Sequence, residues 1–276
     1  MKQFILANEP VDDTVRLEGG DFRYLVRVRR LAVGEFFPAL LPNGAETLVQ
    51  VLSISGGVLT GKCLPNNEAA PVPPETQIPP IVLFQAMPKG EKMDLIVRQA
   101  AEGGITEIVP FVSEFSVARE KTGGQKYSRW ERIIKEARQQ SGSKIATSIR
   151  PPASEKCPSN RWMTKTELFD YWKELKEAGA LGLLFHHPVH NRGLEQNSLH
   201  GYLNSIPQIV ALVIGPEGGF SENEVSIFLE KGFKPLTIGD TILRTETAAL
   251  YCAAAIRILL LERNSWELKQ VKTGSG

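Results

Sequence analysis

The stretch Ile209–Ile214 runs without a polar residue into Gly215-Pro216-Glu217-Gly218-Gly219-Phe220, after which Ser221 and Glu224 have the spacing of a capping box. A strand that is apolar at every position is buried on both faces, which is the condition of a central strand in a parallel sheet covered by helices. A glycine-rich loop at the carboxyl end of such a strand lies where open α/β sheets bind ligands, because bare backbone can approach a bound molecule closely. A phosphate loop would end in Lys-Ser/Thr, and here Glu217 puts a carboxylate where phosphate charge would sit. A neutral or locally cationic ligand suits these residues better, and a tight glycine turn without a ligand is the plainer alternative.

The chain upstream and downstream keeps the rhythm of strand and helix. Residues 81–85 read as a strand, followed by a helix with Met93, Ile96, Val97 and Ala100 on one face. Residues 105–112 form a second strand, and Ser128 with Glu131 predicts a capped helix that buries Trp130, Ile133, Ile134 and Ala137. Thr164 and Glu167 cap a further helix with Leu168, Tyr171, Trp172 and Leu175 inward, ahead of a strand over 181–185. A strand over 235–238 then leads to Arg244, Thr245 and Glu246 at the start of the last helix. Taken alone, that segment is equally a helix start in which Thr245 or Thr247 is the N-cap, Glu246 offsets the dipole and Arg244 pairs with an acid.

Before residue 65 the pattern changes to short β-type runs over 14–17, 47–54 and 58–64. They are separated by turn signals at Gly19-Gly20, Pro42-Asn43-Gly44 and Gly56-Gly57, with a basic, helical segment over 21–31. The sequence PNNEAAPVPPETQIPP over 65–80 is too rich in proline for a helix interior or a central strand. The expected organisation is a small β-barrel-like domain over 1–70, a Pro-rich linker over 71–80, an α/β domain over 81–265 and a tail over 266–276. The chain's 276 residues, 42% of them hydrophobic, suffice for two such cores.

A net charge of +1 does not announce a nucleic-acid binder, so the local distribution matters more. Arg23, Arg27, Arg29 and Arg30 cluster near the N-terminus, and Arg119, Lys121, Lys126, Arg129, Arg132, Lys135, Arg138 and Lys144 crowd a later segment. Both clusters can contact phosphates; both can also be solvated helix faces. Three cysteines, Cys63, Cys157 and Cys252, form no CxxC pair, so neither a disulfide framework nor a cysteine zinc site is expected. His186 and His190 have helical metal-ligand spacing, but Pro188 breaks that helix and no acidic third ligand lies near, so no metal is expected. The apolar run over 248–261 is shorter than the ~20 residues of a membrane span and contains Arg257, so it reads as a buried helix. With no signal-peptide pattern or lipidation motif, the expected location is the cytoplasm. No GxGxxG fingerprint supports a dinucleotide-binding fold.

The pairing of IGPEGGF with IGDTILRTETAAL resembles the C-terminal signature of the SPOUT methyltransferases that modify uridine N3 in 16S ribosomal RNA. The likeness extends through QAMPKGEKMDLIVRQAAEGGITEIVPFVSEFSV and RWERIIKEARQQSGS to the N-terminal YLVRVRRLAVGE, and so covers almost the whole chain in order. It implies an α/β fold with a SPOUT-type trefoil-knotted parallel-sheet domain, the exception to the rule against threaded chains, preceded by a small PUA-like β-barrel domain. It further implies S-adenosylmethionine as cofactor, held by Phe185, His186, Gly215, Pro216, Glu217, Gly218, Gly219, Ile238, Gly239, Leu243 and Thr247. Arg244 and Glu246 would face the reacting groups, and Arg23, Arg27, Arg29, Arg30, Lys89, Lys92, Arg119 and Lys144 would meet RNA.

The partners that this resemblance implies are 16S ribosomal RNA, within the 30S subunit or a late assembly particle, and a second copy of the chain in a homodimer. Three positions depart from the family pattern: Thr241 stands where a basic residue is common, Ser143 where arginine is usual, and His186-His187-Pro188 in a stretch often acidic. Lys144 can supply the charge missing at Ser143. Uridine N3 must lose its proton before or during attack, so Arg244 would stabilise the uracil anion, with Glu246, Glu217 or water as proton acceptor. A SPOUT ribose 2′-hydroxyl methyltransferase and a non-catalytic RNA-binding assembly factor are the alternatives, and intact Gly218, Gly219, Arg244 and Glu246 speak against the second.

Overall fold

The computed structural model describes residues 4–65, 78–116, 123–151, 162–186, 198–237 and 241–273. The chain divides into two compact units: residues 1–71 with 138–146, and residues 72–137 with 147–276.

In the first unit, β1 (Phe4–Ile5), β2 (Thr14–Leu17), β3 (Phe36–Leu40), β4 (Glu46–Ser55) and β5 (Val58–Pro65) form one sheet in the order β1-β3-β4-β5-β2. The β1 and β3 pairing is parallel and the others antiparallel. Alternation in these strands sends Val15, Leu17, Phe37, Ala39, Val49 and Val51 to one core with Phe4, Leu6, Leu25 and Leu59. The expected runs over 14–17, 47–54 and 58–64 are strands, while β1 and β3 were not expected. The basic segment is helical: α1 (Gly19–Phe22) continues as a π-helical turn over Arg23–Val28. It ends because Arg30 takes a left-handed conformation (φ 57), which lets the Leu31 amide bond back to the Leu25 carbonyl at 3.1 Å.

The second unit is built on six parallel strands, β6 (Ile81–Ala86), β7 (Glu107–Phe111), β8 (Ser148–Ile149), β9 (Ala180–Phe185), β10 (Ile209–Ile214) and β11 (Lys234–Leu236). Their order across the sheet is β11-β9-β10-β6-β7-β8. Burial of β10 on both faces is realised residue by residue: Val210, Leu212 and Ile214 enter one core, Ala211 and Val213 the other. The first core is completed by α2 (Lys92–Glu102), α3 (Gly123–Ser141) and α7 (Thr245–Thr273). The second is completed by α4 (Lys165–Glu177) and α6 (Glu222–Glu230), with the short α5 (Leu199–Tyr202) preceding β10. The chain runs outward from β6 to β8, returns on the other side to β9, and only then inserts β10 between β9 and β6. In open α/β sheets, a reversal of this kind places the ligand site at the carboxyl ends of the central strands.

Two local expectations need correction. Ser128 and Glu131 do not cap α3, which begins at Gly123 and carries both residues in its interior. Ser-x-x-Glu has the same i, i+3 spacing inside a helix as at its start, so the spacing alone does not locate the terminus. The last helix is not buried all round. Ala248, Ala249, Cys252, Ala253, Ile256 and Leu260 are buried, but Leu250, Tyr251, Ile258 and Leu261 are exposed on its other side.

Gly182, in the middle of β9, faces the Trp172 and Phe233 rings, whose centroids are 4.2 Å apart. A Cβ there would lie 2.7 Å from atoms of both rings. Gly182→Ala is therefore expected to destabilise the fold by about 1–3 kcal/mol through overpacking. Urea unfolding checks this, and an unchanged midpoint would show that the two rings can move apart at no cost.

Candidate active site

At the carboxyl edge of the sheet, Ile214 lies beside Gln85 in the β10 and β6 pairing, so the chain leaves β10 as Gly215 next to the end of β6. The loop that follows is closed by a bond from the Gly219 amide to the Pro216 carbonyl (2.9 Å), with Gly219 at φ +70. A Cβ on Gly215 would meet Gly219 and the Phe220 ring at 3.3 Å, and one on Gly218 would meet Phe115 at 3.1 Å. Glycine at these positions is thus what lets the loop fold tightly and lie against the half-exposed Phe115.

Three groups of polar contacts hold the loop. Glu217 accepts from the Lys89 amide (3.1 and 3.2 Å) and pairs with Lys92 Nζ (2.7 Å). Lys92 Nζ also stands 3.8 Å from Glu246 Oε2. Burial pushes the Glu217 carboxyl up, but the bonds from Lys92 and from the backbone amides of Glu217 and Lys89 outweigh it and hold the group below its usual range. On the far side, Ser221 and Glu224 form the expected capping box of α6. The buried Glu224 carboxylate also accepts from the Glu114 amide (2.9 Å) and pairs with Lys165 Nζ (3.3 Å), which ties the cap to the loop after β7. At the centre, Thr245 Oγ1 donates to the Gly215 carbonyl (2.6 Å) and accepts from Gln85 Nε2 (3.0 Å).

Thr245 is the first residue of α7, so neither it nor Thr247 is the N-cap; the Arg244 carbonyl instead accepts from the Ala248 amide (2.8 Å). The Arg244 side chain is exposed and makes no ion pair with any described residue. Glu246 is 13% exposed, and its Oε2 is buried without a hydrogen-bond donor among the described residues. The structure therefore brings Arg244, Glu246 and Glu217 to one edge, with Leu243 half-buried against the core and Thr247 exposed beside them. Phe185 and His186 lie at the end of β9, where the His186 amide bonds to the Leu236 carbonyl (3.3 Å) and the His186 carbonyl accepts from Thr237 (3.2 Å). Ile238, Gly239, Arg119, His187 and His190 lie outside the described residues.

Of the residues expected to meet RNA, Arg23, Arg27, Arg30 and Lys89 are exposed, while Arg29 is half-buried with Nη1 lacking a partner among the described residues. Lys144 pairs with Glu46 at 2.7 Å, and Lys92 is held between two carboxylates. Sequence reasoning missed Gln85, the tie from Glu224 to the Glu114 amide, and Phe115. A polar residue at the end of an otherwise apolar strand was the available signal for Gln85. No group of three or more His, Cys, Asp or Glu side chains placed to hold a metal ion occurs among the described residues. Among the described residues, no helix is long and apolar enough to cross a membrane.

The buried side-chain atoms at this edge that lack a hydrogen bond among the described residues are acceptors, Gln85 Oε1 and Glu246 Oε2, and they stand beside bare glycine backbone and the exposed Arg244. The buried acceptors suit a ligand that brings donors and positive charge, as the ammonium and sulfonium of S-adenosylmethionine do.

Comparison with known proteins agrees. The profile of the RNA methyltransferase domain matches residues 74–257. A ribosomal RNA small subunit methyltransferase E from Synechocystis is 31% identical over 263 residues, 93% of this chain and 77% of that protein. The protein of the same name from Aquifex aeolicus is 35% identical over 179 residues, 64% of this chain and 68% of its own. A Legionella pneumophila protein solved with the bound cofactor S-adenosylmethionine superposes with a TM-score of 0.70 at 25% identity, covering 93% of this chain and 97% of that one.

The ion pair at the loop makes acid stability a test of this geometry. Glu217 binds its proton more weakly folded than unfolded, so its contribution is complete above the unfolded value, about 4.3, and is lost as pH falls through the lowered folded value. Thermal melts of the wild type should drop more steeply between about pH 5 and pH 3 than those of Glu217→Gln. Parallel curves would mean that the Lys92 pair adds nothing to stability.

Proposed function

The chain belongs to the ribosomal RNA small subunit methyltransferase E family, and on that footing we propose that it transfers a methyl group from S-adenosylmethionine to N3 of a uridine in 16S ribosomal RNA. The observation that carries this reading to the site is the convergence of Arg244 and Glu246 with the Gly215–Gly219 loop at one carboxyl edge, joined through Thr245. Bound S-adenosylmethionine supplies an electrophilic sulfonium methyl group and leaves as S-adenosylhomocysteine. Residues Gly215, Pro216, Gly218 and Gly219 would hold it with Phe185, His186, Ile238, Gly239, Leu243 and Thr247.

The chain's own residues then have distinct tasks. Glu246 takes the N3 proton: its Oε2 has no hydrogen bond among the described residues and only a distant Lys92 Nζ at 3.8 Å, whereas the Glu217 carboxylate is bonded to the Lys89 amide and to Lys92 at 2.7 Å. Arg244, exposed and unpaired among the described residues, donates to the uracil carbonyl oxygens as negative charge spreads onto them. As the N3–H bond breaks, the proton passes to the Glu246 carboxylate, and the nitrogen lone pair forms the bond to the methyl carbon. Holding the base and the methyl group in line supplies most of the effect.

The first unit, a PUA-like barrel in this reading, binds RNA through Arg23, Arg27, Arg29 and Arg30, with Lys89 and Arg119 at the catalytic unit. In this reading the barrel spans 1–70 and the methyltransferase domain 81–265, apart from residues 138–146, which cluster with the first unit, and the insertion of β10 between β9 and β6 belongs to a trefoil knot. The exposed face of α7, Leu250, Tyr251, Ile258 and Leu261, covers its counterpart in a two-fold homodimer. The substrate is 16S ribosomal RNA in a 30S or late assembly particle, which places the enzyme in the cytoplasm.

Nucleoside mass spectrometry of 30S particles treated with labelled S-adenosylmethionine should show labelled N3-methyluridine. Label on ribose would assign the chain to 2′-hydroxyl chemistry, and no labelled nucleoside would leave an RNA-binding assembly factor. Arg244→Ala should lower the single-turnover rate on the order of 10²–10³-fold with little change in cofactor affinity, as expected for loss of one preorganised donor. Normal rates in the folded variant would remove Arg244 from the chemistry.

A further inference from the structure

We propose that Gln85 and Thr245 form a positioning latch that sets the distance between the cofactor loop and the two residues that meet the uracil, an inference that rests on the methyl-transfer reading above. Gln85 is fully buried and Thr245 nearly so. Gln85 Nε2 donates to the Ala86 carbonyl (2.9 Å) and to Thr245 Oγ1 (3.0 Å), and Thr245 Oγ1 donates to the Gly215 carbonyl (2.6 Å).

The chain of bonds has only one polarity. Two carbonyl oxygens terminate it, and a carbonyl accepts only. The single Thr245 hydroxyl proton must go to Gly215, so Oγ1 must accept from Gln85. Both Nε2 protons are then used, which fixes the amide orientation and leaves Oε1 as the acceptor without a partner among the described residues. A carboxylate in place of the Gln85 amide has no proton to give either neighbour, and a leucine has neither donor nor acceptor.

The consequence follows from where the three residues stand. Gly215 is the first residue after β10, Gln85 pairs across the sheet with Ile214, and Thr245 lies between Arg244 and Glu246 at the first turn of α7. One hydroxyl therefore joins the start of the cofactor loop to the backbone from which both uracil-facing side chains project. A core packing role would not need this polarity, because an apolar residue of similar shape would fill the space at position 85 among the neighbours of the first core. Misplacement of reacting groups by about 1 Å costs on the order of 10²-fold in rate, so a latch at this joint governs turnover more than stability.

The test is a double-mutant cycle on the full chain with Gln85→Leu, Thr245→Val and the pair, together with Thr245→Ser, which keeps the hydroxyl. Single-turnover methylation of 30S particles at saturating S-adenosylmethionine, titration calorimetry with S-adenosylhomocysteine and thermal melts are the readouts. Each single variant should lose on the order of 10²-fold in rate and bind S-adenosylhomocysteine more weakly, the double variant should be no worse than the worse single, and Thr245→Ser should stay near wild type. Normal rates in folded Thr245→Val, or rate losses that multiply in the double variant, would overturn the latch. If the wild type methylates nothing, the methyl-transfer reading fails by itself, and the affinity cycle still decides: losses shared between the two positions sustain the latch, whereas additive or absent losses sink it.

Discussion

Burial of β10 on both faces constrains nearly everything else in the catalytic unit. Because Val210, Leu212 and Ile214 fill one core and Ala211 and Val213 the other, no side chain of this strand is available for chemistry. Function is displaced to the carboxyl edge, where the backbone leaves the sheet and its polar groups need new partners. The loop after β10 meets that need with a turn of its own, with Thr245 on the Gly215 carbonyl, and with Glu217 and Glu224 reaching sideways to the loops after β6 and β7. The same contacts that satisfy the edge also give it shape.

Charge at this edge is arranged by subtraction. Glu217 and Glu224 are each matched by a close lysine and by backbone amides, while Glu246 has only the more distant Lys92 at 3.8 Å and an oxygen without a hydrogen bond among the described residues. A buried acceptor in that condition is costly unless a ligand or reaction uses it. The nearby exposed guanidinium of Arg244 supplies the complementary donor. On the proposed reading, the edge presents one proton-accepting and one anion-stabilising group, the two needs of a base that must lose a proton before or as it gains a methyl group.

Much of this was legible in the sequence where local rules decide. The caps at Thr164 with Glu167 and at Ser221 with Glu224 hold, and the continuous apolar strand is central and parallel. Ser128 with Glu131 misled because a helix interior offers the same spacing. β3 escaped notice because Pro38 argues against a central strand, yet Pro38 stands one residue before the stretch that β1 pairs, where β3 is still an edge. Gln85 stood out as a polar residue in an apolar strand, but its partner Thr245 and the outward reach of Glu224 were not legible, since the bonded residues lie 160 and 110 positions apart and only the folded sheet brings them together. The apolar composition of α7 hid its sidedness, because periodicity carries no signal when both faces are hydrophobic.

The strand order has a further consequence for how the molecule comes into being. β6 and β9 flank the same gap, and the strand that fills it is read from the chain more than a hundred residues after β6. A nascent chain that has emerged through residue 185 carries two hydrophobic strand edges with nothing between them, and the pairing of β10 with β6 closes a long loop. Such non-local pairing is slow and leaves sticky intermediates. Synthesis of the catalytic unit therefore includes an interval in which the centre of the sheet is missing, and during that interval chaperone capture competes with self-association.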